Sequence, residues 1–228
     1  MANIRRLELE GVYNIRELGG YYINADTVTK WGVFLRSANL ATVTANDRDM
    51  LYNYGVRTVV DLTSIGESAS LIGADKRFNL MQIPLVDFNK FSGSFYLAII
   101  EIFPQYVKEV FNVFAEHINN GVILFHCQSG KDRTGIIAML LLLIAGASEL
   151  DVLADYIISP TYLRPVARKR KEPFESIGIW PDELELIMGV LKADYGGAEN
   201  YLKEIGVSNE NIEKIKMNFT QPVLKIER

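Results

Sequence analysis

A chain of 228 residues, 49% hydrophobic and 23% charged, has enough apolar material for a globular domain with a sizeable core. Its 24 Lys and Arg against 28 Asp and Glu leave a net charge of −4, which speaks against a broadly basic nucleic-acid surface; any anion must be held locally. One cysteine excludes an internal disulfide, and with two histidines and no clustered ligands it argues against a structural zinc site.

In chain order, the first residues, MANIRRLELEG, lack the apolar core of a secretion signal, and a cytoplasmic location is expected. WGVFLR (31–36) alternates as a strand does. Thr44, with Asp47 three residues on, reads as the N-cap of a helix over about 45–54, and Gly55 as its stop. VRTVVDL (56–62) is a β-branched strand and NLMQIPL (79–85) a shorter one. Residues 94–119 predict helix interrupted at Pro104. The aromatic residues of NKFSGSFYLAIIEIF (89–103) serve either a lid or groove wall or plain core packing. VILFH (122–126) is a continuous apolar strand of the kind buried in parallel sheets.

That strand runs into HCQSGKDRTG (126–135) and then into IIAMLLLLIAGA (136–147). This apolar run has twelve residues, short of the ~20 that span a bilayer, and reads as a buried helix rather than a membrane insertion. Ser148 with Asp151 starts another helix. The alternation of strand and helix up to residue 147 predicts an α/β fold with a mostly parallel central sheet flanked by helices. Residues 148–228 show no convincing strand and are expected to be a helical extension of a single domain spanning 1–228. They carry a basic run, ARKRKEP (167–173), either a solvated face or a contact for an anionic headgroup.

The stretch 126–135 carries the chemistry. A loop between a parallel strand and a helix N-terminus sits where open α/β sheets bind ligands. Unpaired N–H groups and the positive end of the helix dipole favour a phosphate-like dianion there. Cys127 opens the loop and Arg133 closes it, so a loop curled around one phosphate brings both to the same ligand. Arg133 supplies a planar fork for two phosphate oxygens, and the positive surroundings favour the reactive thiolate of Cys127. Thr134 can donate to the sulfur, and Gly130 permits a tight turn. Gln128, Ser129, Gly130, Lys131, Asp132 and Arg133 are therefore the candidate phosphate-binding residues, with His126 supporting the loop.

HCQSGKDRTG resembles the His-Cys-x5-Arg-Ser/Thr signature of cysteine-dependent protein tyrosine phosphatases. Its Gly-Lys-Asp-Arg form is similar to a bacterial and fungal subfamily of tyrosine or dual-specificity phosphatases, some of which also hydrolyse phosphoinositides. YNIRELGGY (13–21) resembles that subfamily's Asn-x-Arg-Asp-Leu-Gly-Gly element, with Glu17 in place of Asp. FLRSANL (34–40), VRTVVDL and residues 195–216 resemble further segments, with Thr63 where an Arg is frequent.

The resemblance implies a phosphocysteine intermediate on Cys127, charge stabilisation by Arg133 and the loop amides, and no metal or cofactor. It also implies a carboxylic acid that protonates the leaving oxygen. Asp132, inside the loop, is the first candidate; Asp87, after the strand 79–85, is the second. IWPDELE (179–185) spells the Trp-Pro-Asp of an acid loop. It follows the cysteine instead of preceding it, and Pro181 with acidic residues behind it marks a helix start.

Arg36 either reaches the site or pairs with Asp61 or Glu17. The expected substrate is a phosphotyrosyl protein or peptide. The alternatives are a phosphoinositide and, with no turnover at all, a non-catalytic phosphate-binding module.

Overall fold

The computed structural model describes residues 5–64, 66–67, 71–86 and 95–223. Its strands and helices follow in chain order. The first half holds β1 (Arg16–Glu17), β2 (Tyr22–Asn24), β3 (Thr27–Thr29), β4 (Phe34–Ser37), α1 (Ala45–Tyr54), β5 (Val56–Asp61), β6 (Asn79–Gln82), α2 (Phe95–Glu101) and α3 (Pro104–His117). The second half holds β7 (Val122–His126), α4 (Asp132–Ala145), α5 (Glu149–Ile157), α6 (Ser159–Arg170), α7 (Pro181–Tyr195), α8 (Ala198–Glu204), α9 (Asn209–Phe219) and β8 (Thr220–Pro222).

The central sheet has the order β1-β4-β7-β5-β6, parallel throughout except for β1, which runs antiparallel to β4. The α/β fold with a mostly parallel sheet is the one the strand–helix alternation predicts. Side chains alternate across the strands. Leu35, Val59 and Leu124 face one apolar cluster with Leu51 of α1. Phe34, Val60, Ile123 and Phe125 face a larger cluster that takes in helices α2 to α5 and α7 to α9. Because α4 lies inside that second layer, it is apolar nearly all round.

Caps fall where the residue types demand. Thr44 and Asp47 form a reciprocal capping box, and Gly55 closes α1 in the left-handed conformation. Pro104 divides α2 from α3, and Pro181 opens α7.

Two expectations are corrected. The strand predicted over 31–36 begins only at Phe34, because Gly32 turns the chain at φ 72°. The region 148–228 is not free of strand: β8 pairs antiparallel with β3 in a second sheet of order β2-β3-β8. Three residues are too few to show a period of two, so only the tertiary partner makes this strand. Phe219 next to it stacks edge-on against Phe34, with centroids 5.0 Å apart. Phe219 thereby ties the end of α9 to the central sheet. Among the described residues no helix is long and apolar enough to cross a membrane.

Candidate active site

The loop lies at the carboxyl ends of three parallel strands. His126 closes β7, in register with Ser37 of β4 on one side and Asp61 of β5 on the other. Cys127 follows, 2% exposed, and α4 begins at Asp132. Gly130 turns the loop at φ 62°, and a Cβ there would lie 2.1 Å from the Ser37 carbonyl oxygen, so no other residue fits.

Four successive loop carbonyls are held from outside. The Asn39 amide N–H and Nδ2 donate to Gln128 O at 3.2 and 3.0 Å. Asn14 Nδ2 donates to Ser129 O and Gly130 O, both at 3.0 Å. Arg36 Nη2 donates to Gly130 O at 2.9 Å and to Lys131 O at 3.2 Å. In a planar trans peptide the N–H points opposite the C=O. Fixing these oxygens outward therefore aims the N–H groups of residues 129–132 to the other side, into the mouth of the loop.

The clamp is itself anchored. Arg16 Nε donates to Asp155 Oδ1 at 2.8 Å, Arg36 Nη1 donates to Asp155 Oδ2, and the Tyr21 hydroxyl donates to Oδ1 at 3.1 Å. Arg16 Nη1 also holds the Asn14 side chain through its Oδ1 at 2.6 Å. All of these groups are buried. Burial alone would raise the Asp155 pKa, but the two guanidinium groups outweigh it and bring it down to about 2. Burial and the charge of Arg16 lower Arg36 to about 10, with Asp155 opposing.

Arg36 thus pairs with neither Asp61 nor Glu17. Asp61 accepts from the Thr63 N–H at 2.9 Å and the Thr63 hydroxyl at 2.7 Å. Glu17 accepts from Gly32 N–H at 2.9 Å and the Tyr54 hydroxyl at 2.5 Å.

Facing the mouth, Arg133 donates in a bidentate fork to Glu67, Nη1 at 2.7 Å and Nη2 at 2.5 Å. Burial would raise the Glu67 pKa, but this pairing lowers it below its ordinary value. Asp132 Oδ1 accepts from the Tyr96 hydroxyl and lies 3.5 Å from Lys131 Nζ. Lys131 donates to Gly178 O and sits 4.2 Å from the ring centre of Trp180. Burial lowers its pKa, with Asp132 opposing.

His126 is fully buried, its Nδ1 3.8 Å from Asp61 Oδ1, and burial lowers its pKa despite that carboxylate. Its Nε2 and the Thr134 hydroxyl have no hydrogen-bond partner among the described residues, so the expected Thr134 donation to sulfur is not made. Asp87 lies outside the described residues. Two hollows flank Ser129. One, of about 200 Å³, runs past Lys131, Asp132, Leu163 and Trp180; the other, of about 240 Å³, past Tyr13, Asn39, Lys169 and Arg170.

The model of the tyrosine phosphatase family matches residues 7–221. The chain belongs to that family. A tyrosine-protein phosphatase of Nostoc commune is 34% identical over 219 residues, covering 82% of this phosphatase and 74% of the relative. Among solved structures, the Siw14 catalytic core is similar at a TM-score of 0.45 and 15% identity, covering 81% of this chain and 95% of that one. TpbA of P. aeruginosa, in complex with pTyr, is similar at 0.41 and 17% identity, covering 75% and 94%.

In this phosphatase the sequence places Cys127 through Thr134 together by contiguity alone. Four groups of residues around them carried no such signal. Glu67 stands in a loop with no marked pattern. Tyr96 belongs to the aromatic segment 89–103, where a lid or groove wall stood open against core packing, and Tyr156 sits on a helix with nothing local to mark it. Asn14 and Arg16 lie in the segment 13–21 that resembles the family, but nothing local says what they touch. Asp155 offered one usable hint: a carboxylate on the apolar face of its helix, between Val152 and Tyr156, needs a buried cation.

Proposed function

We propose that this tyrosine phosphatase hydrolyses phosphotyrosyl groups through a phosphocysteine on Cys127. One observation carries the reading: Cys127 and Arg133 bracket a loop whose carbonyls are tied outward by Asn14, Arg36 and Asn39, which turns its amides toward a bound dianion. The Cys127 thiolate attacks phosphorus, an S–P bond forms, and the P–O bond to the phenol breaks. The departing oxygen takes a proton from Asp132. Water then attacks phosphorus, gives its proton to the Asp132 carboxylate, and the S–P bond breaks to release phosphate and the thiolate.

Gln128, Ser129, Gly130, Lys131, Asp132 and Arg133 hold the phosphoryl oxygens, and charge developing on them meets the amides and Arg133. His126 supports the loop from within, while the Thr134 hydroxyl makes no hydrogen bond among the described residues. Asp132 is preferred as the acid over Asp87 because it starts α4 beside Arg133 and its Oδ2 is bonded to no described residue. The hollow of about 200 Å³ beside Asp132 offers room for an aromatic ring. We place its action in the cytoplasm, where a lone catalytic thiol is kept reduced, and cell fractionation tests that location.

Turnover of a phosphotyrosyl peptide by wild type, Cys127→Ser, Asp132→Asn and Asp87→Asn tests the chemistry. Equal turnover by wild type and Cys127→Ser would remove the covalent step. No turnover by wild type would leave a phosphate-binding module. A loss with Asp87→Asn but not with Asp132→Asn would move the acid to Asp87.

A phosphoinositide reading has one observation behind it: Lys169 and Arg170 line the second hollow beside Ser129. Phosphate release from phosphoinositide vesicles, set against the peptide at matched concentration, decides between these substrates.

A further inference from the structure

We infer that Tyr96 and Tyr156 form a hydrogen-bonded relay that positions the Asp132 carboxyl for proton transfer to the leaving group. The inference rests on Asp132 being the acid. Tyr96 reaches the site from α2 and Tyr156 from α5, and both are buried. Their rings meet edge-on at 6.5 Å, which brings the two hydroxyl oxygens to 2.6 Å.

The protons can be counted around this group. Each phenol has one to donate. Tyr96 bonds Asp132 Oδ1 closely, whereas Tyr156 lies 3.4 Å from the same oxygen. The order that satisfies every group runs from the Trp180 N–H to the Tyr156 oxygen at 3.2 Å, from Tyr156 to Tyr96, and from Tyr96 to Asp132 Oδ1. Burial, together with the charge of Asp132, raises the pKa of both phenols, which keeps them protonated as donors. A buried hydroxyl without a partner is costly, so a phenol rather than a phenyl ring at each position calls for such an acceptor.

The consequence is a division of labour between the two carboxyl oxygens. Oδ1 is occupied by the relay and faces Lys131, while Oδ2 has no partner among the described residues and is the oxygen left to carry the proton. Without the relay the carboxyl is free to rotate about its last bond, and the proton is misplaced in a fraction of complexes. Tyr96 and Tyr156 are positioning residues, since they act through Asp132.

The test uses leaving groups. The phenol of tyrosine has a pKa of about 10 and needs a proton to depart. Nitrophenol departs readily as its anion. Tyr96→Phe keeps the ring packing and removes only the hydroxyl. It is expected to lower kcat/KM about tenfold on a phosphotyrosyl peptide and less than about twofold on 4-nitrophenyl phosphate. Tyr156→Phe, one step further away, is expected to follow the same pattern with about a threefold loss.

Added to Asp132→Asn, Tyr96→Phe is expected to cost nothing more. Inhibition by inorganic phosphate should be unchanged in both phenylalanine variants, showing that the loop is intact. Equal losses on the two substrates, or a Tyr96→Phe loss that persists in the Asp132→Asn background, would overturn the relay. An Asp132→Asn enzyme that loses equally on both substrates would instead remove Asp132 as the acid, and the relay with it.

Discussion

Outside the loop 127–131, four carbonyls in succession are bonded by Asn14, Arg36 and Asn39, and behind them Arg16, Tyr21 and Asp155 complete a buried network. Inside, the amides face an open mouth, and Arg133 and Asp132 are held by side chains from distant elements, Glu67 and Tyr96. The outer side spends its hydrogen-bonding capacity on fixing the loop. The inner side keeps capacity for a ligand. A site of the proposed kind is preorganised for a dianion only if something else bears the cost of aiming its dipoles, a part the buried network is placed to take.

Substitutions on the two sides should therefore fail differently. The largest effect belongs inside: Cys127→Ser is expected to lower turnover of a phosphotyrosyl peptide by more than about 10⁴-fold while urea unfolding stays at the wild-type midpoint. A shifted midpoint would mean that the two sides are not separable.

Outside, Asp155→Ala leaves Arg16 and Arg36 buried without their counter-charge. It is expected to destabilise the fold by about 3–5 kcal/mol, read as a lower urea midpoint with activity lost in parallel.

Glu67→Gln sits between the two. The bidentate pair is partly exposed, so stability should change little, but a less ordered Arg133 should lower kcat/KM about tenfold. A large fall in stability without a kinetic effect would place Glu67 with the outer side.

Asn39→Ala removes one donor to Gln128 O and should cost about 1 kcal/mol, the backbone bond at the same oxygen remaining.

The smallest effect is on pH. Burial holds the His126 pKa below its ordinary 6.5, so as pH falls the unfolded chain takes up the proton first. The stability due to neutral His126 is fully present above pH 6.5 and declines below it. Denaturant midpoints measured from pH 7.5 down to pH 5.5 should fall for wild type and fall less for His126→Gln.

Much of the central architecture was legible along the chain. Continuous apolar strands, capping residues and the glycine stops marked α1, β5, β7 and α4, because each is specified by neighbours a few residues away. Cys127 to Thr134 were legible for the same reason: one loop and one helix start hold all of them. The strand β8 was not, because three residues of extended chain have no pattern until β3 supplies their partners. Of the two readings for Arg36, the reach to the loop is met, and only the proposed pairing with Asp61 or Glu17 was misplaced. The partner of Arg36, Asp155, lies 119 residues away, and the local sequence offered the nearer carboxylates Asp61 and Glu17.

By itself the sequence determined the α/β class, the helix starts and the contiguity of the proposed nucleophile Cys127 with the proposed phosphate-binding Arg133, since contiguous residues share one strand–loop–helix unit. Only the tertiary structure decided how that unit is held and oriented. Asn14, Arg16, Arg36, Asn39 and Asp155 converge on one side of the loop. Glu67, Tyr96 and Tyr156 converge on the other. Hydrogen bonds act over about 3 Å of space and are indifferent to separation along the chain, so these partners become visible only when the packing of α2, α5 and the sheet has brought them together.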